Sequence, residues 1–251
     1  MGDEYFERIL IKYEIPQARV DKFENTKKDL DRSVKKWAGN CLNYTEITGS
    51  YAKGTATTLG SDFDLFISII NTDMNLREIF NSLAEFFKKE GYTIQKQNVS
   101  IGIKHNTIKV DLVPAKKQSG HTNDHSLYVS RKDTWTQTNV RTHVRTIVNS
   151  KRQKQIKIAK IWAKLHDLDF PSFYIEECVL HALKNRSTTE LDVPFQQYLN
   201  WLSNELLNTT FVDDANTNNV ISDLVNKTEK RKIMKKAKEG YEAENWVPVI
   251  W

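Results

Sequence analysis

The residue types best suited to chemistry lie in one stretch, GSYAKGTATTLGSDFD, at positions 49–64. It opens with Gly49 and Ser50, which are predicted to form a turn between a strand and a short helix. Glycine lets the backbone approach a phosphate closely, and a helix N-terminus offers free N–H groups and a favourable dipole. The Ser50 hydroxyl can donate one more hydrogen bond. The stretch therefore predicts a phosphate-binding turn.

Two carboxylates follow this turn in a β-prone segment. Asp62 and Asp64 are two positions apart, so on a strand both side chains project from the same face. Neighbouring carboxylates repel each other unless a cation lies between them, which indicates a divalent metal. Hard oxygen ligands beside substrate phosphates favour Mg²⁺, with Mn²⁺ as a substitute.

A third carboxylate, Asp111, interrupts the apolar strand in KVDLVPA. Val110 and Leu112 share one face of that strand, and Asp111 lies on the other. A lone acid at this place is costly without a partner. If this strand neighbours the one that carries Asp62 and Asp64, the three acids converge. Three carboxylates can hold two metal ions about 3.5–4 Å apart, an arrangement that activates an attacking hydroxyl and stabilises departing pyrophosphate.

Simpler explanations exist for the separate parts. Asp-x-Asp is common in turns and calcium loops, and a Gly-Ser turn alone carries little information. A calcium-binding EF-hand does not fit, because Phe66, Ile67 and Ile69 stand at positions that should be polar. The ordered set of turn, Asp-x-Asp and later strand Asp is much more specific, and it favours a nucleotide and metal site.

Hydrophobic periodicity predicts the elements that position these residues. Apolar residues at helical spacing predict a long helix over 17–38 and a second over 76–87 that ends near Gly91. β-Prone segments predict strands at 43–48, 64–71, 99–103 and 107–113, the last two joined by a hairpin at 105–106. Residues 116–139 are polar and are predicted to be irregular. Helices are predicted beyond them at 140–149, 153–166, 172–184, 194–207 and 228–243.

Composition excludes several classes of protein. The 251 residues are 39% hydrophobic and 27% charged, with 9 Gly and 5 Pro, which excludes disordered and collagen-like chains. No apolar run reaches the roughly 20 residues of a membrane helix, and the acidic N-terminus does not resemble a signal peptide. Two cysteines are too few for a disulfide scaffold. We therefore expect a cytoplasmic protein without a membrane partner. A net charge of +5 fits a polyanionic ligand, although a lysine-rich solvated surface explains it as well.

The segment GSYAKGTATTLGSDFD and the later KVDLVPA together resemble motifs of the polymerase-β-type nucleotidyltransferase superfamily. The long N-terminal helix and the helical second part resemble the branch that contains 2′,5′-oligoadenylate synthases, archaeal CCA-adding enzymes and the bacterial cyclic-oligonucleotide synthases (CD-NTases). The resemblance implies an α+β, bilobal fold. Its catalytic, palm-like lobe, a mixed β-sheet with a long spine helix, would span residues 1–130. A helical lobe that closes the nucleotide cleft would span residues 131–251.

The resemblance also implies roles for the three acids and the turn. Asp62 and Asp64 would bind both metal ions. Asp111 would bind the catalytic metal beside the acceptor hydroxyl and help its deprotonation. Gly49 and Ser50 would hold the donor triphosphate.

Two residues of the second lobe would contact phosphates. Lys160 in AKIW resembles the family lysine that reaches the triphosphate from a helix, and Lys157, one turn earlier, is a competing choice. Ser172 in PSFYIE resembles a phosphate-binding serine of the bacterial synthases. The alternative for each lysine is a solvated helix face, and the phosphate contact is the preferred interpretation for Lys160.

Two further segments have open interpretations. FVDDANTNNV at 211–220 resembles an Asp-Pro-Ala-Asn…Asn-Asn segment near the nucleotide base in the bacterial branch, but Asp214 stands in place of the proline. An Asx-rich turn explains it about equally well. Residues 128–143 interleave aromatic and basic side chains, which suits either base stacking or a connection between the lobes.

The implied activity is metal-dependent transfer of a nucleoside monophosphate from an NTP, ATP or GTP, to a hydroxyl, with release of pyrophosphate. We expect the acceptor to be another nucleotide, giving a cyclic or linear oligonucleotide signal as in bacterial antiphage defence. The alternatives are CCA-adding-like nucleotide addition to an RNA 3′ end, and adenylylation of a small molecule. A further alternative is a catalytically inactive nucleotide sensor or toxin–antitoxin partner. The oligomeric state stays open.

Overall fold

The structure, a computed structural model, describes residues 2–60 and 62–251. It divides into two units. The sheet unit comprises residues 15–52 and 62–144, and the helical unit comprises residues 2–14, 53–60 and 145–251. The boundary predicted between residues 130 and 131 falls inside a β-hairpin of the sheet unit, and the N-terminal residues belong with the helical unit. Sequence order alone therefore does not describe the division.

Helices lie towards both ends of the chain, and most strands lie between residues 42 and 138. The helices are α1 (Gly2–Lys12), α2 (Gln17–Ala38), α3 (Gly49–Ala52), α4 (Leu76–Lys89), α5 (Val140–Ser150), α6 (Gln153–Leu165), α7 (Ser172–Ala182), α8 (Asp192–Glu205) and α9 (Lys227–Tyr241). The strands are β1 (Leu42–Ile47), β2 (Phe63–Ile69), β3 (Gln95–Lys96), β4 (Ile101–His105), β5 (Ile108–Lys117), β6 (His125–Val129), β7 (Thr134–Thr138), β8 (Val212–Asp213) and β9 (Asn216–Val220).

The sheet unit is built on a mixed sheet with strand order β1-β2-β5-β4-β3. β2 and β5 run parallel, and the other pairs along this path are antiparallel. Alternate residues of the central strands, such as Leu65 and Leu112, are fully buried in one cluster with Leu30 of α2 and Leu83 of α4. These two helices thus cover one face of the sheet. The period-2 alternation of β2 and β5 places their aspartates on the opposite face.

Most predicted elements of this unit are confirmed. The long helix spans Gln17–Ala38, as its spacing of apolar residues predicts. α4 begins at a capping box, in which Asn75 accepts from the Glu78 backbone N–H and the Glu78 carboxylate accepts from the Asn75 N–H. The hairpin at 105–106 joins β4 and β5, and Asn106 turns it with a φ of +53°.

The prediction that residues 116–139 are irregular is wrong. β5 continues to Lys117, β6 pairs with its end, and β7 pairs with β6. The cause is His125, which occupies a fully buried strand position and whose Nε2 lies 2.8 Å from Ser68 Oγ. A core position filled by a hydrogen-bonded polar residue gives no apolar signal. Residues 128–143 accordingly form the end of this hairpin and the start of α5, and Trp135 on β7 is 58% exposed.

The helical unit has its own core. α1, which the sequence analysis did not identify, contributes Phe6 and Ile9 to a cluster with Trp162 of α6, Tyr174 of α7 and Tyr198 of α8. The five helices predicted beyond residue 139 are confirmed, with ends that shift by one or two residues. None of the helices in residues 2–60 and 62–251 has the length and apolar character needed to cross a membrane.

Candidate active site

Asp64 and Asp111 lie side by side on the two parallel strands of the sheet. The register of β2 and β5 pairs Asp64 with Asp111, between the pairs Phe63–Val110 and Leu65–Leu112. Residues paired in this way point to the same face of a sheet. Both acids are half-buried, and they lie on the face opposite the apolar core. The two strands are therefore neighbours, which is the condition under which the sequence lets the acids converge.

The Gly49-Ser50 turn, which follows β1, lies against Asp64. Gly49 opens the single turn of α3 with a φ of +63°, which favours glycine. A Cβ atom at this position would lie 1.8 Å from Oδ2 of Asp64. The Thr48 N–H also donates to the Asp64 carbonyl oxygen at 3.0 Å. Glycine is thus required here both by the backbone and by the carboxylate beside it.

Asp62 precedes β2 and is exposed, but its charge reaches Asp111. Burial and the negative charge of Asp62 raise the pKa of Asp111, and hydrogen bonds from Gln97 and Ser100 oppose the rise. Burial likewise raises the pKa of Tyr51, in α3, to about 12. The carboxylates therefore form a site of concentrated negative charge in which ionised Asp111 is disfavoured.

This donor set suits a hard divalent cation. Carboxylate oxygens on adjacent strands are the ligands that Mg²⁺ prefers, and a cation would remove the repulsion that acts on Asp111. The described residues contain no group of three or more His, Cys, Asp or Glu already assembled as a metal cage. Asp64 and Asp111 are adjacent in the structure, and the participation of Asp62 stays a prediction.

A second charged cluster lies within the helical unit. The Glu176 carboxylate accepts from Lys160 Nζ at 2.7 Å and from Lys53 Nζ at 2.6 Å, and Lys160 also donates to Thr55 Oγ1 at 2.9 Å. The three charged side chains are nearly inaccessible to water, with 8%, 11% and 2% exposed for Lys160, Lys53 and Glu176. Burial alone would raise the pKa of Glu176, but the two ammonium groups outweigh it and hold the pKa below its ordinary value.

Lys160 is among the residues predicted from the sequence, whereas Lys53 and Glu176 are not. The available signal was a pair of carboxylates, Glu176 and Glu177, one turn after Ser172 on a largely apolar helix. Ser172 is the first residue of α7 and is exposed, and Lys157 is half-buried. Lys160 and Ser172 belong to the helical unit, whereas the acids and Gly49-Ser50 belong to the sheet unit. Their predicted phosphate contacts stay predictions.

The FVDDANTNNV segment forms the β8–β9 hairpin. Burial and the nearby charge of Asp214 raise the pKa of Glu177, on α7, to about 7.

Asp213 is buried at the turn of the β8–β9 hairpin, where its carboxylate accepts from the Ala215 N–H at 2.8 Å and from Asn219 Nδ2 at 3.0 Å. The segment thus contains an Asx turn, which is one of the two interpretations that its sequence allows.

A known protein family matches a part of the chain that includes the whole sheet unit. Residues 2–150 match the family described as the Second Messenger Oligonucleotide or Dinucleotide Synthetase domain, SMODS. The chain belongs to the SMODS family. It is therefore an enzyme of the nucleotidyltransferase class, as the acid motifs predict, and the family makes oligonucleotide second messengers.

Solved structures agree with the predicted fold. E. coli MS115-1 CdnC with ATP superposes with a TM-score of 0.82 at 19% identity, over 96% of this chain and 91% of CdnC. Bradyrhizobium diazoefficiens CdnG, a CD-NTase in complex with GTP, gives 0.78 at 10% identity over 94% and 89%. Elizabethkingia meningoseptica CdnE, a cyclic dinucleotide synthase, gives 0.69 at 13% identity over 88% and 92%. No curated protein sequence matches the chain.

Proposed function

We propose that this SMODS enzyme joins nucleotides from ATP or GTP into a cyclic or linear oligonucleotide. Two Mg²⁺ ions serve as its cofactor. The product is a signal in antiphage defence, made in the cytoplasm of a bacterium. The observation that carries the metal site is the pairing of Asp64 with Asp111 beside Gly49. The nucleotides bound by CdnC and CdnG support NTP substrates.

Asp62, Asp64 and Asp111 would hold the metal ions. Bound there, Mg²⁺ would neutralise the negative charge of the triphosphate and of the departing pyrophosphate. Asp111 lies beside the acceptor hydroxyl and helps its deprotonation. The hydroxyl oxygen forms a bond to the α-phosphorus of the donor NTP, and the bond from that phosphorus to the bridging oxygen breaks to release pyrophosphate.

The other predicted residues bind the donor. The backbone of Gly49 and the hydroxyl of Ser50 hold the triphosphate, because the first N–H groups of a helix such as α3 have no partner within the helix. Lys160 and Ser172 supply further phosphate contacts. Lys160 already shares its charge with Glu176, so its contribution to phosphate binding is that of a partly neutralised cation.

The test is incubation of the full chain with Mg²⁺ and the four labelled NTPs, followed by phosphatase treatment and mass spectrometry. A phosphatase-resistant oligonucleotide made by the wild type, and absent from the Asp62→Asn/Asp64→Asn double variant, supports the proposal. Asp73→Asn, which alters an exposed carboxylate of the same unit, is the matched control and should remain active. A product formed equally by the double variant would overturn the metal site.

Two further arms test the acceptor and the biological role. If products form only when RNA is added, and if they are RNA chains extended at the 3′ end, the protein is an RNA-tailing enzyme and not a signal synthase. Expression of the wild type in a bacterial host should lower phage plating, and expression of the double variant should not. Equal plating in both strains would contradict the antiphage role while leaving the chemistry intact.

A further inference from the structure

Gln97, which the motifs do not include, contacts one of the site carboxylates. It lies between β3 and β4, and its Nε2 donates a hydrogen bond to Oδ1 of Asp111 at 2.8 Å. The Ser100 hydroxyl donates to Oε1 of Gln97 at 3.1 Å. Because a carboxylate can only accept, the NH₂ end of the amide is the one that faces Asp111, and the carbonyl end accepts from the hydroxyl.

The backbone of Gln97 is anchored as well. Its N–H donates to the Ser100 carbonyl oxygen at 2.9 Å, and its own carbonyl oxygen accepts from Ser130 Oγ at 2.6 Å. The Ser130 N–H donates to the Asn98 carbonyl oxygen at 2.7 Å. The turn between β6 and β7 therefore holds the segment that presents the Gln97 amide.

Gly102 provides the space for this contact. It lies opposite Asp111 in the antiparallel pair of β4 and β5. A Cβ atom at Gly102 would lie 3.0 Å from Nε2 of Gln97 and 3.4 Å from Oδ1 of Asp111. Its φ lies outside the left-handed range, so the backbone does not need glycine at this position. The side-chain contact between Gln97 and Asp111 explains it.

We propose that Gln97 is a positioning residue for Asp111. Its amide occupies Oδ1, which fixes the rotation of the carboxylate and leaves Oδ2 to bind a divalent cation and to meet the acceptor hydroxyl. Residues that orient a ligand in this way commonly change metal affinity or activity by about 10–100-fold when they are removed. The inference rests on the function proposed above, because that function makes Asp111 a metal ligand.

The test measures binding of Mn²⁺ alone to the full chain by electron paramagnetic resonance, together with steady-state kinetics with ATP and Mg²⁺. Gln97→Met keeps the length of the side chain but cannot donate, and Gln95→Met, at an exposed position on β3, is the matched control. We expect Gln97→Met to weaken Mn²⁺ binding and to lower kcat by about 10-fold or more, with KM for ATP and the unfolding temperature close to those of the control.

A second variant tests the same contact from the other side. Gly102→Ala should displace the Gln97 amide and lower Mn²⁺ affinity in the same direction, which keeps the test open if Gln97→Met folds poorly. Mn²⁺ affinity and kcat of Gln97→Met within about twofold of Gln95→Met would overturn the positioning role. If Asp111→Asn also abolishes turnover in that case, the proposed function survives alone.

The reverse result separates the two proposals. If Gln97→Met weakens Mn²⁺ binding but even the wild type forms no nucleotide product, the positioning role stands and the proposed function fails.

Discussion

The Nζ atom of Lys160 lies 2.7 Å from Oε1 of Glu176 in the interior of the helical unit. The other carboxylate oxygen accepts from Lys53 at 2.6 Å. One buried carboxylate therefore pairs with two buried ammonium groups. The lysine predicted to reach a triphosphate is also part of the internal structure of its unit, so its substitution should affect stability as well as substrate binding.

Glu176→Gln is expected to destabilise the protein by about 3–5 kcal/mol, because it removes the buried carboxylate that Lys53 and Lys160 both contact. Urea unfolding followed by circular dichroism measures the loss. Glu205→Gln, at an exposed position on α8, serves as control and should differ little from the wild type. An unfolding free energy for Glu176→Gln equal to that of the control would show that the cluster contributes no net stability.

Glu177 should make stability depend on pH. Burial and the charge of Asp214 raise its pKa to about 7 from an ordinary value of 4.5. Between these values the unfolded chain releases a proton that the folded chain retains, so stability falls as the pH rises from about 4.5 to 7. Glu177→Gln removes this effect. The free energy of unfolding of the variant, relative to that of the wild type, should therefore increase over that pH range by about 1–2 kcal/mol, once screening by water is allowed for. The measurement is the free energy of unfolding of both proteins at pH 4.5, 6 and 7.5. A difference between variant and wild type that is the same at all three pH values would contradict the shifted pKa.

Asp111→Asn should separate activity from stability. Metal-assisted charge stabilisation contributes several kcal/mol, so turnover of labelled ATP should fall by about 10³-fold. The carboxylate is held beside another negative charge with a raised pKa, so its neutral replacement should leave the unfolding temperature unchanged or higher. Full turnover by this variant would exclude Asp111 from the chemistry, and a lower unfolding temperature would contradict the electrostatic argument.

Gly49→Ala tests the close approach of the turn to Asp64. The new Cβ would lie 1.8 Å from the carboxylate, so the turn or Asp64 must move, and both activity and stability should fall. Gly39→Ala is matched for backbone strain, since Gly39 also has a positive φ, of +53°, but a Cβ there meets no atom within 4 Å. We expect only the Gly49 variant to lose activity beyond its loss of stability. Equal relative activity in the two variants would show that the contact with Asp64 is unimportant.

Much of the local structure follows from the sequence. Helices α2 and α4 and strands β2 and β5 carry strong apolar periodicity, and the placement of Asp111 opposite the apolar face follows from alternation alone. The motifs by themselves predicted a nucleotide and metal site, and the family resemblance that they carry predicted the enzyme class that membership of the SMODS family confirms. The hairpin of β6 and β7 was missed because His125 fills a core position through a hydrogen bond to Ser68.

By itself, the sequence determined which carboxylates carry the charge of the site and on which face of their strands Asp64 and Asp111 lie, because the strand period is a local property of the chain. Only the tertiary structure decided their partners. The opposition of Asp64 and Asp111, the contact from Gln97 to Asp111 and the pairing of Lys53 with Glu176 each join different parts of the chain. Strand register and helix packing set these contacts, and both depend on how distant segments bury their apolar faces together.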